Sequence, residues 1–149
     1  MRKAGKFLIP FAIIFLTIPA LAKSNKVDFL IKDTFKCPQK VYGGGFLVRE
    51  VIHPKNDGVN PGFSTAYITL KPHSKTEPHK LIKSAQVYYI LKGEAILHIG
   101  EKTIKVKPNM AIYIAPNITQ WAENKSNSDF VFLCIVSPPW YKSEEKVLK

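Results

Sequence analysis

Short runs of β-prone residues alternate with turn residues along the chain from residue 41 onward. Seven runs are predicted as strands, at residues 46–52, 64–70, 85–91, 94–99, 102–106, 111–114 and 130–137. The connections at residues 92–93, 100–101 and 107–110 are short and contain Gly, Pro or Asn, which favours antiparallel pairing through hairpins. Because no segment keeps a helical period and no internal repeat is present, the pattern predicts one all-β domain of the eight-stranded jelly-roll kind.

The first 22 residues have the pattern of a secretory signal peptide. A basic start at residues 2–6 precedes an apolar run at 7–21, and Ala-Leu-Ala at 20–22 is a cleavage site. The alternative is a membrane anchor, but the run is shorter than the roughly 20 residues of a spanning helix and contains two prolines. We therefore expect export to the periplasm or outside the cell, a mature chain beginning near Lys23, and no membrane span after cleavage.

The 149-residue chain is basic, with a formal net charge of +11 at pH 7. Three of these charges, on Arg2, Lys3 and Lys6, lie before the cleavage site, so the mature chain carries +8. The remaining lysines are scattered and form no block of like charge or nucleic-acid motif. We therefore predict no nucleic-acid partner, because clustered charge is what such partners require.

The chain has two cysteines, Cys37 and Cys134. Export would allow them to form a disulfide. Cys134, however, lies inside the apolar run 130–136, where a buried free thiol is at least as favoured. The sequence leaves both alternatives open.

The middle of the chain carries two motifs that resemble the signature motifs of the cupin superfamily. The first is Pro-His-Lys-Leu at 78–81, followed by Gln-Val-Tyr-Tyr-Ile-Leu-Lys-Gly-Glu at 86–94. The second is Pro-Asn at 108–109, followed by Ile-Ala-Pro-Asn-Ile-Thr-Gln-Trp-Ala-Glu-Asn at 114–124. The order and spacing of these motifs match those of cupins.

Two flanking stretches make the resemblance more specific. Arg-Glu-Val-Ile-His-Pro at 49–54 and Phe-Leu-Cys-Ile-Val-Ser-Pro-Pro-Trp at 132–140 are similar to a group of small single-domain type-2 cupins. The resemblance implies a double-stranded β-helix, or jelly-roll barrel, over residues 46–140. An N-terminal arm at 23–45 would precede this barrel, and a tail at 141–149, expected as a short helix or a frayed end, would follow it.

The resemblance also implies where a divalent metal would bind. Cupin motifs supply two histidines, a glutamate and a third histidine, but the corresponding residues here are His79, Leu81, Gln86 and Gln120. Without a carboxylate, the charge of a cation would be uncompensated inside the barrel. We therefore expect either no cofactor or a weakly held divalent transition metal on His79, Gln86 and Gln120. His53 would add a second nitrogen if its loop folds over the mouth.

The same positions predict a small-molecule site. Strand alternation places His79, Gln86 and Gln120 on the inner face, and a polar cluster in an apolar barrel is typical of ligand pockets. Tyr88 shares the face of Gln86 and either donates a hydrogen bond into the cavity or only fills it. The candidate ligand-binding residues are therefore His79, Gln86, Tyr88 and Gln120. Glu77 is either an acid or base at the mouth or a solvated loop residue.

Two aromatic residues are predicted to face outward, since each follows an inward position. Tyr89 and Trp121 would lie on the outside of the barrel, and, together with the frequency of dimers among cupins, they favour a homodimer. His98 lies between two apolar residues that should face inward, so it is expected to be exposed and inert.

Four polar residues occupy special places in the motifs. His73 and Asn109 stand where cupins usually have glycine, and both residue types tolerate positive φ. Asn117 and Asn124 each begin an Asn-x-Ser/Thr pattern for N-glycosylation.

Three functions follow from these residues. The first is an exported binding protein that holds a small organic ligand in the barrel without requiring metal. The second is a metal-dependent cupin enzyme, such as an oxygenase, decarboxylase or sugar isomerase, with an atypical His/Gln/Gln site. The third is an interaction protein that kept the barrel and lost the chemistry. Replacement of three metal-ligand positions favours the first or third.

Overall fold

The structure, a computed structural model, describes residues 27–148, so the predicted signal peptide and the first residues of the arm lie outside the described residues. The strands are β1 (Gln39–Tyr42), β2 (Phe46–Ile52), β3 (Ser64–Leu70), β4 (Ser74–Lys75), β5 (His79–Leu81), β6 (Ala85–Lys92), β7 (Ala95–Ile99), β8 (Lys102–Val106), β9 (Ala111–Ile114), β10 (Gln120–Asn124), β11 (Phe130–Ser137) and β12 (Glu145–Val147). One short helix, α1 (Pro54–Asp57), follows β2, and 3-10 turns occur at Thr34–Lys36, Gly43–Gly45 and Lys142–Glu144. No helix within residues 27–148 is long and apolar enough to cross a membrane.

The described strands form two antiparallel sheets. The first sheet has the order β1-β2-β3-β11-β6-β9, and the second has the order β12-β5-β10-β7-β8, with β4 paired to β10. Side chains from both sheets build a common core, whose largest fully buried apolar members are Phe130, Phe132, Leu70, Ile90, Leu97, Ile114 and Val106. The predicted all-β jelly-roll barrel is confirmed.

Strands rich in β-branched and aromatic residues were predicted with nearly correct bounds. Strands β2, β3, β8, β9 and β11 have the predicted limits, and β6 and β7 differ by one residue. The prediction missed β1, β4, β5, β10 and β12, which are short or rich in polar residues such as the Gln-Trp-Ala-Glu-Asn of β10. These segments have low intrinsic β propensity, and they form strands because neighbouring strands provide hydrogen-bond partners and packing. The β propensity of a residue depends on this context.

The end of the chain differs from the expected short helix or frayed tail. After the 3-10 turn at Lys142–Glu144, β12 pairs antiparallel with β5, with Val147 opposite His79. Glu145 and Val147 reach the interior cavity described below. The tail is therefore part of the second sheet.

Asn124 joins the two sheets at the end of β10. Its side chain is fully buried, and its amide nitrogen donates to the carbonyl oxygens of Leu70 (3.0 Å), Lys71 (3.1 Å) and Ser128 (2.8 Å). Its amide oxygen accepts from the backbone and hydroxyl of Ser126. Because every polar group of this side chain is engaged and shielded, Asn124 is not accessible for glycosylation. Asn117 is exposed and keeps the pattern.

Several turns contain a residue with a left-handed backbone, and three of these residues bear on the motifs or on packing. His73 (φ 53°) and Asn109 (φ 69°) adopt it at the two glycine positions of the cupin motifs, as their residue types allow. At Gly93 (φ 75°) only glycine fits, because a Cβ there would lie 2.4 Å from the carbonyl oxygen of Asp129.

The two cysteines are separate in the fold. Cys37 and Cys134 are both buried free thiols, so the structure contains no disulfide between them. Cys134 is on β11 with its side chain toward the cavity, whereas Cys37 follows the Thr34–Lys36 turn of the arm.

Candidate functional site

A cavity of about 710 Å³ lies between the inner faces of the two sheets. Its volume is within the range typical of small-molecule sites. The apolar part of its wall includes Phe46, Val48, Ile68, Leu81, Ala122, Phe132 and Val136. Alternation along the strands explains this wall, since each inward position of an antiparallel strand is separated from the next by an outward one.

His79 lines this cavity from β5. Its Nδ1 atom lies 2.9 Å from the carbonyl oxygen of Glu77, to which a protonated Nδ1 donates. In the neutral ring, Nε2 is then the remaining acceptor. The predicted inward position of His79 is therefore confirmed, although the side chain is only half-buried.

Gln86, Tyr88 and Cys134 form a buried polar cluster on the wall of the first sheet. The Tyr88 hydroxyl donates to Gln86 Oε1 over 3.5 Å, and the Cys134 thiol lies 3.7 Å from the same oxygen. Strands β6 and β11 pair so that Tyr88 is opposite Cys134 and Gln86 is opposite Val136. The Tyr88 ring also packs on Phe132, with ring centroids 4.6 Å apart. Tyr88 thus both fills space and directs its hydroxyl to Gln86.

This cluster carries no charge at neutral pH. Burial, with smaller contributions from Cys134 and Glu145, raises the pKa of the Tyr88 hydroxyl well above its ordinary value of 10.0. Burial raises the pKa of the Cys134 thiol to about 12. Both groups therefore remain protonated and can donate hydrogen bonds, and the thiol is not a nucleophile.

Gln120 does not join this cluster. It is buried on the inner side of β10 beside His79 of β5 and Ile99 of β7, but Ala122 is the residue of β10 that lines the cavity. Neither atom of its amide group has a hydrogen-bond partner among residues 27–148. Strand alternation predicted its inward direction, but it could not predict where along the strand the cavity ends.

The residues present do not fit the four-ligand metal centre that the resemblance implies. The second ligand position is Leu81, which is buried and apolar. No group of three or more His, Cys, Asp or Glu side chains within the described residues is arranged to hold a metal ion. One imidazole and a neutral amide supply no charge to balance a divalent cation.

The idea that His53 could add a second metal-binding nitrogen is wrong. Its Nε2 donates to the carbonyl oxygen of Trp140 over 2.6 Å, and its Nδ1 accepts from the backbone of Lys55 over 3.1 Å. With both ring nitrogens engaged and the side chain buried, His53 fixes the start of α1 to the segment after β11.

Charged residues of both signs also line the cavity, namely Glu50, Lys75, Glu77, Lys142 and Glu145. Lys75, Glu77 and Lys142 are exposed, whereas Glu50 and Glu145 are partly buried, and Lys142 forms an ion pair of 3.1 Å with Glu145. The exposure of Glu77 agrees with the solvated alternative for this residue. Sequence reasoning missed the contribution of the tail, Glu145 and Val147, because it predicted no strand there.

His98 is not the exposed, inert residue that the alternation predicted. Its ring stacks on Trp121, with centroids 4.3 Å apart and planes 4° from parallel. Its Nδ1 lies 3.3 Å from Thr103 Oγ1, and its Nε2 lies 3.7 Å from Glu123. The outward direction was correct, but the cross-strand neighbours on β10 and β8 partly bury the ring.

Comparison with known proteins agrees with this architecture. Residues 66–136 match the cupin domain family. An uncharacterized protein of Methanocaldococcus jannaschii is 31% identical over 106 residues, which cover 70% of this chain and 83% of that protein. An oxalate-binding protein of Thermotoga maritima is 30% identical over 71 residues, which cover 48% of this chain and 59% of that protein.

Solved structures show the same fold. A predicted oxalate decarboxylase from Thermotoga maritima superposes with a TM-score of 0.66 at 20% identity, covering 72% of this chain and 98% of that one. At this identity the likeness concerns the fold alone. Together with the two motifs in β5–β6 and β9–β10 and the paired antiparallel sheets, these matches place the chain in the cupin family as a small cupin-domain protein.

Proposed function

We propose that this protein is an exported cupin that binds a small organic ligand in its barrel cavity without a tightly held metal. The observation that carries the proposal is the neutral cluster of Gln86, Tyr88 and Cys134 on the wall of a cavity of about 710 Å³. An apolar pocket with a few convergent polar groups is the usual form of a small-molecule site.

The chemistry of the cluster favours an uncharged, oxygen-bearing group on the ligand. The Gln86 amide, the Tyr88 hydroxyl and the Cys134 thiol all have hydrogens to donate, and the two contacts to Gln86 Oε1 are long enough to be exchanged for contacts to a ligand. A carbonyl or hydroxyl oxygen matches these donors. A carboxylate at the same depth would be costly, because no cation stands beside it.

The name of the Thermotoga maritima relative makes oxalate the natural reference ligand. Oxalate is a dianion at neutral pH, whereas the lysines that line this cavity, Lys75 and Lys142, are exposed to solvent and are accompanied by Glu50, Glu77 and Glu145. We therefore propose that oxalate binds this chain more weakly than a neutral carbonyl compound of larger apolar surface.

Ligand binding should depend on Gln86 and Tyr88. In a calorimetric or thermal-shift screen of neutral ketones, amides, alcohols and carboxylates in the presence of a chelator, we expect a neutral oxygen compound to bind. Gln86→Leu should then raise the dissociation constant of that ligand by about 10-fold, since it removes one hydrogen bond and leaves the ligand oxygen unpaired. Tyr88→Phe should have a smaller effect of the same sign.

Tyr113→Phe is the matched control, because Tyr113 is 66% exposed and lies outside the cavity. It should leave the affinity unchanged. Binding that survives both cavity substitutions, or that disappears when the chelator is added, contradicts the proposal.

Export is part of the same proposal. In a bacterial cell that expresses the full chain, we expect the N-terminal sequence of the extracytoplasmic protein to begin near Lys23, because residues 20–22 form a small-x-small cleavage site. Replacing Ala20 and Ala22 by Leu should block processing. Recovery of the wild-type protein with an intact Met1 in a membrane fraction would count against export by cleavage.

The alternative, a metal-dependent cupin enzyme, requires a metal on His79, Gln86 and Gln120. No observation favours it, since Gln120 is not among the residues that line the cavity. We also propose the homodimer that the sequence favours. Its contacts would lie on the outer faces of the sheets and would not involve the cavity.

A further inference from the structure

The charges that line the cavity differ in balance from those of the whole chain. The chain carries 22 Lys and Arg residues against 11 Asp and Glu residues. Apart from histidines, the charged residues of the cavity wall are three glutamates and two lysines: Glu50, Glu77, Glu145, Lys75 and Lys142. In a strongly basic chain, a cavity with more carboxylates than ammonium groups disfavours anions relative to cations.

Aromatic rings form a large part of the same wall. Tyr88 packs on Phe132 with ring centroids 4.6 Å apart, and Tyr42 packs on Phe46 with centroids 5.7 Å apart. All four rings and Trp140 line the cavity. The face of an aromatic ring attracts an ammonium group, and this attraction is larger where the cation is removed from water. The wall therefore combines carboxylates with aromatic rings, and both bind organic cations.

Among the three glutamates, Glu145 acts on the buried polar cluster. Its charge contributes, after burial and Cys134, to raising the pKa of the Tyr88 hydroxyl, so its carboxylate is within electrostatic range of that hydroxyl. The Glu145 side chain is 20% exposed and lies 3.1 Å from the ammonium group of Lys142, whose side chain is 73% exposed. An ion pair with a lysine that extends into water contributes little, so a ligand cation can replace this lysine.

The other two glutamates are less suited to bind a cation. Glu50 already has two partners from outside the cavity wall, because one of its oxygens lies 3.1 Å from Lys40 and accepts from Asn56 over 3.0 Å. Glu77 is exposed, so water and salt screen its charge.

The buried amide of Gln86 also indicates a ligand. Gln86 is 5% exposed, and its Oε1 atom accepts from Tyr88 and Cys134. Its amide nitrogen has no hydrogen bond to any atom of residues 27–148, although the side chain lines the cavity. A buried donor without an acceptor is unfavourable, and an oxygen atom of a ligand would satisfy it.

We propose that the ligand of this cavity is an organic cation with an apolar body, whose ammonium group lies at Glu145 and whose neutral oxygen accepts from Gln86. The inference rests on the proposed function and adds the charge of the ligand to it. Such a ligand spans the cavity from β12, the strand that the tail adds to the second sheet, to β6 on the wall of the first sheet.

Two esters of nearly equal shape test the charge. Acetylcholine carries a trimethylammonium group, and its carbon isostere carries a neutral tert-butyl group at the same place, with the same ester carbonyl. We define the cation preference as the dissociation constant of the neutral ester divided by that of acetylcholine, both measured by titration calorimetry with a chelator at low ionic strength. We expect a cation preference of about 10-fold for the wild type, since the carboxylate and the rings attract the charge.

Glu145→Gln should reduce the cation preference to about 2-fold or less, because it removes the charge and keeps the size of the side chain. Glu144→Gln is the matched control. Glu144 is the preceding residue and has the same charge, but it pairs with Lys83 and neither residue lines the cavity. This control should keep the wild-type preference. Circular dichroism and a thermal melt show whether both variants are folded.

Lys142→Met tests the site in the opposite direction. It frees Glu145 from its ion pair, so the cation preference should rise by about 3-fold, an increase that damage to the fold would not produce. Lys83→Met frees Glu144 in the same way and should leave the preference unchanged. If Glu145→Gln does not fold, the comparison of these two lysine variants decides the matter.

Equal affinities of the wild type for the two esters overturn the inference, and so does a preference that persists in Glu145→Gln or is lost in Glu144→Gln. These outcomes leave the proposed function intact, because the neutral ester still binds. If neither ester binds, the inference is also overturned, and the screen of neutral compounds decides the proposed function separately.

Discussion

Replacing Asn124 by Asp should destabilise the fold by about 4 kcal/mol or more, although the two side chains have nearly the same shape. The amide nitrogen of Asn124 donates to three carbonyl oxygens within 3.1 Å. A carboxylate there would have no hydrogen to donate and would place a negative charge against those oxygens in a fully buried position. The end of β10 would lose its attachment to the end of β3, and hence one of the links between the sheets.

The effect should depend on pH in a defined direction. Burial raises the pKa of the introduced carboxyl above its unfolded value of about 3.9, so the folded state retains the proton that the unfolded state loses. The destabilisation should therefore grow as pH rises from about 4 toward 8. Urea unfolding followed by circular dichroism at both ends of this range measures it.

Asn127→Asp is the matched control in the same loop. Asn127 is exposed, and its side chain contacts His73 Nε2 at 2.9 Å. The change should cost less than about 0.5 kcal/mol. A free energy of unfolding for Asn124→Asp within about 1 kcal/mol of the wild type would show that the three carbonyl oxygens find other donors.

Divalent metal binding should be weak in the wild-type protein and should increase by on the order of 100-fold or more in the double variant Leu81→His with Gln86→Glu. Both positions line the cavity with His79. The variant would supply two imidazoles and a carboxylate, and the added negative charge compensates the cation. Titration calorimetry with Mn, Ni and Zn, after treatment with a chelator and buffer exchange, gives the affinities.

Ile82→His with Lys83→Glu introduces the same residue types outside the cavity. Both positions are exposed and neither lines the cavity, so this control should bind metal no better than the wild type. Tight, stoichiometric binding by the unmodified chain that is lost on His79→Ala would have the opposite meaning. It would restore the enzyme as the better function for this cavity.

Long apolar strands could be predicted because their residues carry the signal themselves. Strand β11 has seven consecutive apolar residues before Ser137, and alternation along β6 correctly placed Gln86 and Tyr88 inside and Tyr89 outside. The pairing partners of β10 and β12 could not be predicted, because these short strands depend on neighbours that are distant in the sequence. The missed β12 explains why the contribution of the tail to the cavity was also missed.

For the candidate site, the sequence predicted which side chains point into the barrel, but it did not predict which of them line the cavity together. Alternation along the predicted strand β6 gave the inward direction of Gln86, whereas the inward direction of His79 and Gln120 depended on their places in the two motifs, because β5 and β10 were not predicted as strands. Which inward residues meet depends on how the two sheets stack, and this stacking brings Cys134 to Gln86 while leaving Gln120 outside the cavity wall. The structural roles of His53 and Asn124 depend on hydrogen bonds to distant parts of the chain. His53 contacts Trp140, which is 87 positions away in the sequence, and Asn124 contacts Leu70, which is 54 positions away.

The sequence by itself determined the fold class, the family and the loss of the metal ligands, because each of these depends on residue types at short, fixed spacings. The tertiary structure alone decided which polar groups share the cavity and how Asn124 connects the sheets. These properties arise where strands from distant parts of the chain become neighbours, and the burial and hydrogen bonding of a side chain depend on that neighbourhood.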